Sequence, residues 1–130
     1  MILDSSAIVA VLRDEPEAAE FARAIVSAGS CRVSAVNYVE SAVVIDSARD
    51  AVASRRFDDF FRASPIAIVP VTPRQAEIAR YAYRDFGKGR HKAGLNFGDC
   101  FAYALAKEMD EPLLFKGTDF AQTDVEVAKI

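Results

Sequence analysis

MILDSSAIVAVL, residues 1–12, sets three apolar residues, one acid, two serines and an apolar helical run in immediate succession. MIL has the make-up of a short buried strand, and SSAIVAVL that of a short buried helix. A strand that passes straight into a helix begins a βα unit, and the rest of the chain repeats the alternation. EPEAAEFARAIVSAG (15–29) reads as a helix, with Pro16 in its first turn and Gly29 just past its end. CRVSA (31–35) reads as a second strand, and Ser34 can cap the helix of VNYVESAVVIDSA (36–48). Asp50 can cap AVASRRFDDFFRA (51–63), where Phe57, Phe60 and Phe61 share one face.

IAIVPV (66–71) predicts a third strand. TPRQ (72–75) predicts a helix start, with Thr72 as cap, Pro73 at the first position and Gln75 closing a capping box. That helix stops at Gly87. LNFGDCFAYALAK (95–107) predicts another helix, with Phe97, Cys100, Phe101, Ala104 and Leu105 at helical spacing. PLLF (112–115) is a fourth strand, and a short fifth is expected near Val125 and Val127. Short apolar strands separated by helices imply an α/β fold, a mostly parallel sheet of four to five strands covered on both faces. Such sheets bind ligands outside the carboxyl ends of their strands.

With 130 residues, 52% of them apolar and 27% charged, the chain suits one globular domain spanning 1–130. No apolar run is long enough to span a bilayer as a helix, and MILDSS lacks the pattern of a secretory signal. Cys31 and Cys100 form no metal-ligand pattern and read as buried free thiols in a reducing cytoplasm. The net charge of −3 argues against a large non-specific nucleic-acid binder. Residues 84–92, RDFGKGRHK, nevertheless set Arg84, Lys88, Arg90 and Lys92 against Asp85 alone. Such a loop is either solvated surface or a phosphate contact. His91 reads as a surface residue.

Four acids stand out from the solvated and helix-start majority. Asp4 interrupts an apolar segment at the end of a strand. It is either a helix cap or a carboxylate that needs a partner or a metal. Glu40 shares a helical stripe with Val36, Asn37, Val43 and Val44. Asp99 can close a capping-box variant with Asn96, and Asp119 follows a strand where a turn residue would also fit. In a doubly wound sheet the four positions can converge. Crowded carboxylates would take up protons unless a divalent cation joined them, and an all-oxygen set points to Mg²⁺ or Mn²⁺. That chemistry suits phosphodiester hydrolysis, with Ser5 or Ser6 near the phosphate.

MILDSSAIVAVL, SAVNYVES, LNFGDCFAYALAK and PLLFKGTDF, in that order and spacing, resemble the PIN-domain ribonucleases, most closely the VapC toxins of toxin–antitoxin pairs. The resemblance implies a three-layer α/β/α sandwich and a cytoplasmic, Mg²⁺- or Mn²⁺-dependent endoribonuclease. It implies a VapB-type antitoxin as inhibitor, a second copy of the toxin, and a toxin–antitoxin hetero-oligomer. By position it makes Asp4 and Asp99 metal ligands, and Glu40 a ligand directly or through water, or the base. Asp119 is the match for a fourth acid, although this chain has Gly117 and Thr118 where many relatives carry another polar or acidic residue. Ser6 and Asn96 become supporting residues, and Lys88, Arg90 and Lys92 become RNA contacts. Rival readings are a PIN-like binding module without nuclease activity and a Mg²⁺-dependent phosphatase or receiver domain. DSSA lacks the second acid that either of the last two requires.

Overall fold

The computed structural model describes the whole chain, Met1–Ile130. Its elements run β1 (Ile2–Leu3), α1 (Ser5–Leu12), α2 (Ala18–Ala28), β2 (Cys31–Ser34), α3 (Ala35–Asp46), α4 (Ala51–Ala63), β3 (Ile66–Val69), α5 (Pro73–Phe86), α6 (Phe97–Met109) and β4 (Leu113–Leu114). A 3₁₀ turn at Phe120–Gln122 follows. All strand pairs are parallel, in the order β3-β2-β1-β4.

Strand alternation builds the three layers. Ile2 and Leu113 point to one face and join Ala79, Leu95, Leu105 and Phe120 in a core roofed by α5 and α6. Leu3 and Leu114 point to the other face and join Ile8, Phe21, Ile45 and Phe57 beneath α1 to α4. A sheet buried on both sides needs apolar residues on both, which is why its strands read as unbroken apolar runs. The caps at Ser34, Asp50 and Thr72 form as expected. Gly29, at a φ of 73°, closes α2. Phe57, Phe60 and Phe61 cluster, with Tyr38 against Phe57 and Phe61. Both cysteines are buried and free.

Four local expectations change. The fifth strand reduces to a single parallel bridge between Leu113 and Val127. The third strand ends at Val69, because Pro70 has no N–H to donate. Pro16 lies in a turn ahead of α2, whose capping position is Glu17. That glutamate makes no cap bond and instead faces Lys116 Nζ at 3.3 Å. Gln75 does not close a capping box. Its backbone N–H reaches Thr72 Oγ1, but its side-chain amide is buried without a hydrogen-bond partner. No helix is long and apolar enough to cross a membrane.

The strand order fixes where a site can lie. The chain steps outward from β1 to β2 to β3, then returns to the other side of β1 to lay down β4. The crevice of such a sheet opens at the carboxyl ends of the strands on either side of that reversal. Asp4 leaves β1 there, and residues 116–119 leave β4 there.

Candidate active site

Asp4 is the N-cap of α1. Its Oδ2 accepts the Ser6 N–H at 3.0 Å, so the capping reading is correct. The cap does not account for the whole side chain. Asp4 is buried, and its Oδ1 has no hydrogen-bond partner. Burial, with the Glu40 charge as a smaller contribution, pushes its carboxyl well above the usual range. The backbone N–H of Asp4 is tied to the Leu114 carbonyl at 3.0 Å, which locks the acid to the exit of β4.

Asp99 sits at the third position of α6 in a full reciprocal capping box. Asn96 Oδ1 accepts the Asp99 N–H at 2.8 Å, and Asp99 Oδ2 accepts the Asn96 N–H at 3.0 Å. Burial raises its carboxyl to about 7, and the charges of Asp4, Glu40 and Asp119 add to the rise. Asp99 therefore feels the charge of the other three acids singled out in the sequence.

Glu40 is half-buried on α3. Ser5 Oγ donates to its Oε1, and Asn37 Nδ2 lies 3.4 Å from the same oxygen. The valine stripe inferred from spacing does not explain its burial, since Val43 is 61% exposed. Its company is polar: Asn37, Ser5 and the backbone of Gly98. A side chain at Gly98 would overlap the Glu40 carboxylate. As the chain lies, no three His, Cys, Asp or Glu side chains stand close enough to share an ion. Glu40 is held by Ser5 and Asn37 instead.

Asp119 is exposed just ahead of the 3₁₀ turn and makes no side-chain cap bond. Ser6 Oγ accepts the Lys116 N–H at 3.0 Å, so its hydroxyl stitches the start of α1 to the exit of β4. Two residues to which the sequence assigned no role stand at this edge. One is Asn37, fully buried and legible only as the polar residue three before Glu40. The other is Lys116, which bridges Glu15 (2.7 Å) and Glu17.

Lys88, Arg90 and Lys92 are exposed and form no ion pair, while Arg84 pairs with Asp85 at 3.2 Å. His91 is not a free surface residue. Its Nδ1 accepts the Ala93 N–H at 3.0 Å and its ring stands edge-on to Phe86, so it pins the loop. An apolar cleft of about 370 Å³ lies elsewhere, between α5 and α6, lined by residues including Tyr83, Phe97 and Phe101. None of the four acids lines it.

The donor set fits a hard divalent cation. It offers carboxylate oxygens, one of them buried without a partner, at an edge where added positive charge would relieve repulsion. A consequence can be measured without any substrate. A carboxyl with its usual value near 3.8 in the unfolded chain and about 7 in the folded one binds its proton more tightly when folded. Metal-free stability should therefore fall as pH rises from about 4 to 7. Asp99→Asn should remove that loss and, at pH 8, melt about 3–6 °C above the parent in EDTA, discounted for the solvent on the open side. Equal melting of the two proteins from pH 4 to 8 would show that Asp99 carries no such burden.

The PIN domain family model matches residues 1–126. Ribonuclease VapC28 of Mycobacterium tuberculosis is 53% identical over 129 residues, covering 98% of this chain and 97% of that protein. Ribonuclease VapC of Mycolicibacterium smegmatis is 47% identical over 125 residues, covering 96% and 97%. The fold resembles solved structures at much lower identity. The M. tuberculosis toxin VapC20, described as cleaving the sarcin-ricin loop, aligns with a TM-score of 0.75 at 14% identity, over 99% of this chain and 98% of that one. A toxin–antitoxin complex from Klebsiella pneumoniae aligns with a TM-score of 0.73 at 16% identity, over 98% and 95%. The chain belongs to the PIN-domain family, in its VapC branch.

Proposed function

We propose that this chain is a toxic endoribonuclease, dependent on Mg²⁺ or Mn²⁺, that a cognate VapB-type antitoxin holds in check in the cytoplasm. The observation that carries the reading is Asp4: a buried carboxylate with an unpartnered oxygen, at the topological switch point, coupled to Glu40 and Asp99. The names of the VapC relatives support the same chemistry, and the likeness to a toxin–antitoxin complex supports the partner.

Asp4 and Asp99 would hold the cation, with Glu40 joining directly or through water. When bound, the cation supplies charge to neutralise the scissile phosphate and lowers the pKa of water. Asp99 is already aimed by its capping box, which occupies Oδ2. Glu40, oriented by Ser5 and Asn37, accepts a proton from the attacking water. Asp119 adds negative charge at the open side. Ser6 and Asn96 support the two ligands through the bonds described above. Lys88, Arg90 and Lys92 hold RNA phosphates, because a groove of carboxylates alone would repel the substrate.

The test is direct. The purified chain, free of antitoxin, should cut RNA with Mg²⁺ or Mn²⁺, stop on chelation, and recover when the ion is restored. RNA left intact under these conditions sinks the reading.

A second copy of the chain would pack on the α5–α6 face. Phe97 is 73% exposed there, beside the apolar cleft, and burying such a patch is a routine source of dimer stability. Phe97→Asp should convert a dimer to a monomer in sedimentation without unfolding it. A dimer that survives the change removes this face from the assignment.

A further inference from the structure

We propose that Asn37 is a positioning residue that fixes Glu40 relative to the helix carrying Asp99; this inference rests on the metal-site reading above. Asn37 and Glu40 are three residues apart on α3 and share one face. The Asn37 side chain is fully buried. Its Nδ2 donates to the Gly98 carbonyl of α6 at 2.9 Å and lies 3.4 Å from Glu40 Oε1. An amide nitrogen has two hydrogens. One reaches across to α6 and the other reaches along α3 to the carboxylate, so a single atom ties the two helices at the acid.

The amide has only one workable orientation. Turning it over would set its oxygen against a carbonyl and a carboxylate, both of which only accept. The orientation observed leaves Oδ1 buried without a partner. An apolar residue of similar volume would avoid that cost, so packing alone does not account for asparagine here. Gly98 completes the arrangement from the other side. Its missing side chain is the space that the Glu40 carboxylate occupies. The Gly98 carbonyl is one residue from Asp99, so a shift of Asn37 moves the spacing between the two acids. Asn37 itself is too deeply buried to touch RNA.

The test measures Mn²⁺ binding by calorimetry on the full chain, alongside cleavage and melting. Two variants are needed. Asn37→Asp keeps the shape and loses the donor. Asn37→Ala introduces no new ligand. Both should bind Mn²⁺ about 10–100-fold more weakly, the range seen when partners that orient metal ligands are removed. Both should lower kcat and leave the KM for RNA unchanged. On a Glu40→Gln background the same substitutions should cost less than about threefold, because their effect passes through Glu40.

Variants that melt earlier but bind Mn²⁺ as the parent does would overturn the inference and leave the site intact. An equal loss with and without Glu40 would overturn it too. A parent chain that binds no Mn²⁺ overturns the metal-site reading and this inference together. A parent that binds Mn²⁺ in an Asn37-dependent way but cuts no RNA would sink the ribonuclease reading alone.

Discussion

Asp4→Asn will leave the chain folded and bound to RNA but will slow cleavage at least about 100- to 1,000-fold, the usual cost of removing one group that stabilises developing charge. The fold survives because asparagine retains an oxygen to accept the Ser6 N–H. The buried position also becomes easier to fill, since a neutral amide costs less to bury than a carboxylate. What disappears is the negative charge on an oxygen that nothing else uses. If the two carboxylates hold one ion as proposed, adding Asp99→Asn should cost little more, because such ligands act as a unit. RNA binding by Asp4→Asn, read by fluorescence anisotropy, should stay close to the parent's. Its dependence on log salt should flatten by about 2 when Lys88, Arg90 and Lys92 become alanine. Single-turnover cleavage within tenfold of the parent would remove Asp4 from the mechanism.

Gly98→Ala should separate stability from activity. Alanine is better than glycine by up to about 1 kcal/mol in a helix interior and by less in the first turn, where Gly98 lies, so the substitution ought not to weaken α6 itself. The new methyl group, however, would overlap the Glu40 carboxylate. That carboxylate is the far end of a flexible side chain. It will give way before the backbone does, swinging off Ser5 Oγ and Asn37 Nδ2. The expected result is a melting temperature equal to or above the parent's, with cleavage reduced about 10- to 100-fold. An early-melting protein whose folded fraction cuts RNA normally would show that Gly98 matters to packing alone.

The fold was legible because both faces of the sheet are buried. Ile2, Leu3, Leu113 and Leu114 had to be apolar whichever way they pointed, and the helices between strands carried their own caps. Asp4 and Asp99 stood out for a related reason: each interrupts an apolar stretch. Glu40 was found on a mistaken premise. A helical wheel places valines beside it, but Val43 lies open and the side chains that hold it are polar, Ser5 from α1 and Asn37 from its own stripe on α3. Spacing put Asn37 on the stripe of Glu40 but gave it no role, because the bond that fixes it runs to the carbonyl of a residue 61 positions away. Gln75 shows the converse case. Its spacing predicted a capping bond, yet tertiary packing buried the side chain and the bond did not form.

The position of β1 has a consequence in time. This two-residue strand pairs on one side with residue 32 and on the other with residues 113 and 114. The backbone of Asp4 is anchored to Leu114. A chain growing on the ribosome at about 5–20 residues per second makes Asp4 roughly 5–20 seconds before it makes that anchor. A chain interrupted before Leu114 therefore lacks this anchor for Asp4, although Asp4, Glu40 and Asp99 have all been made.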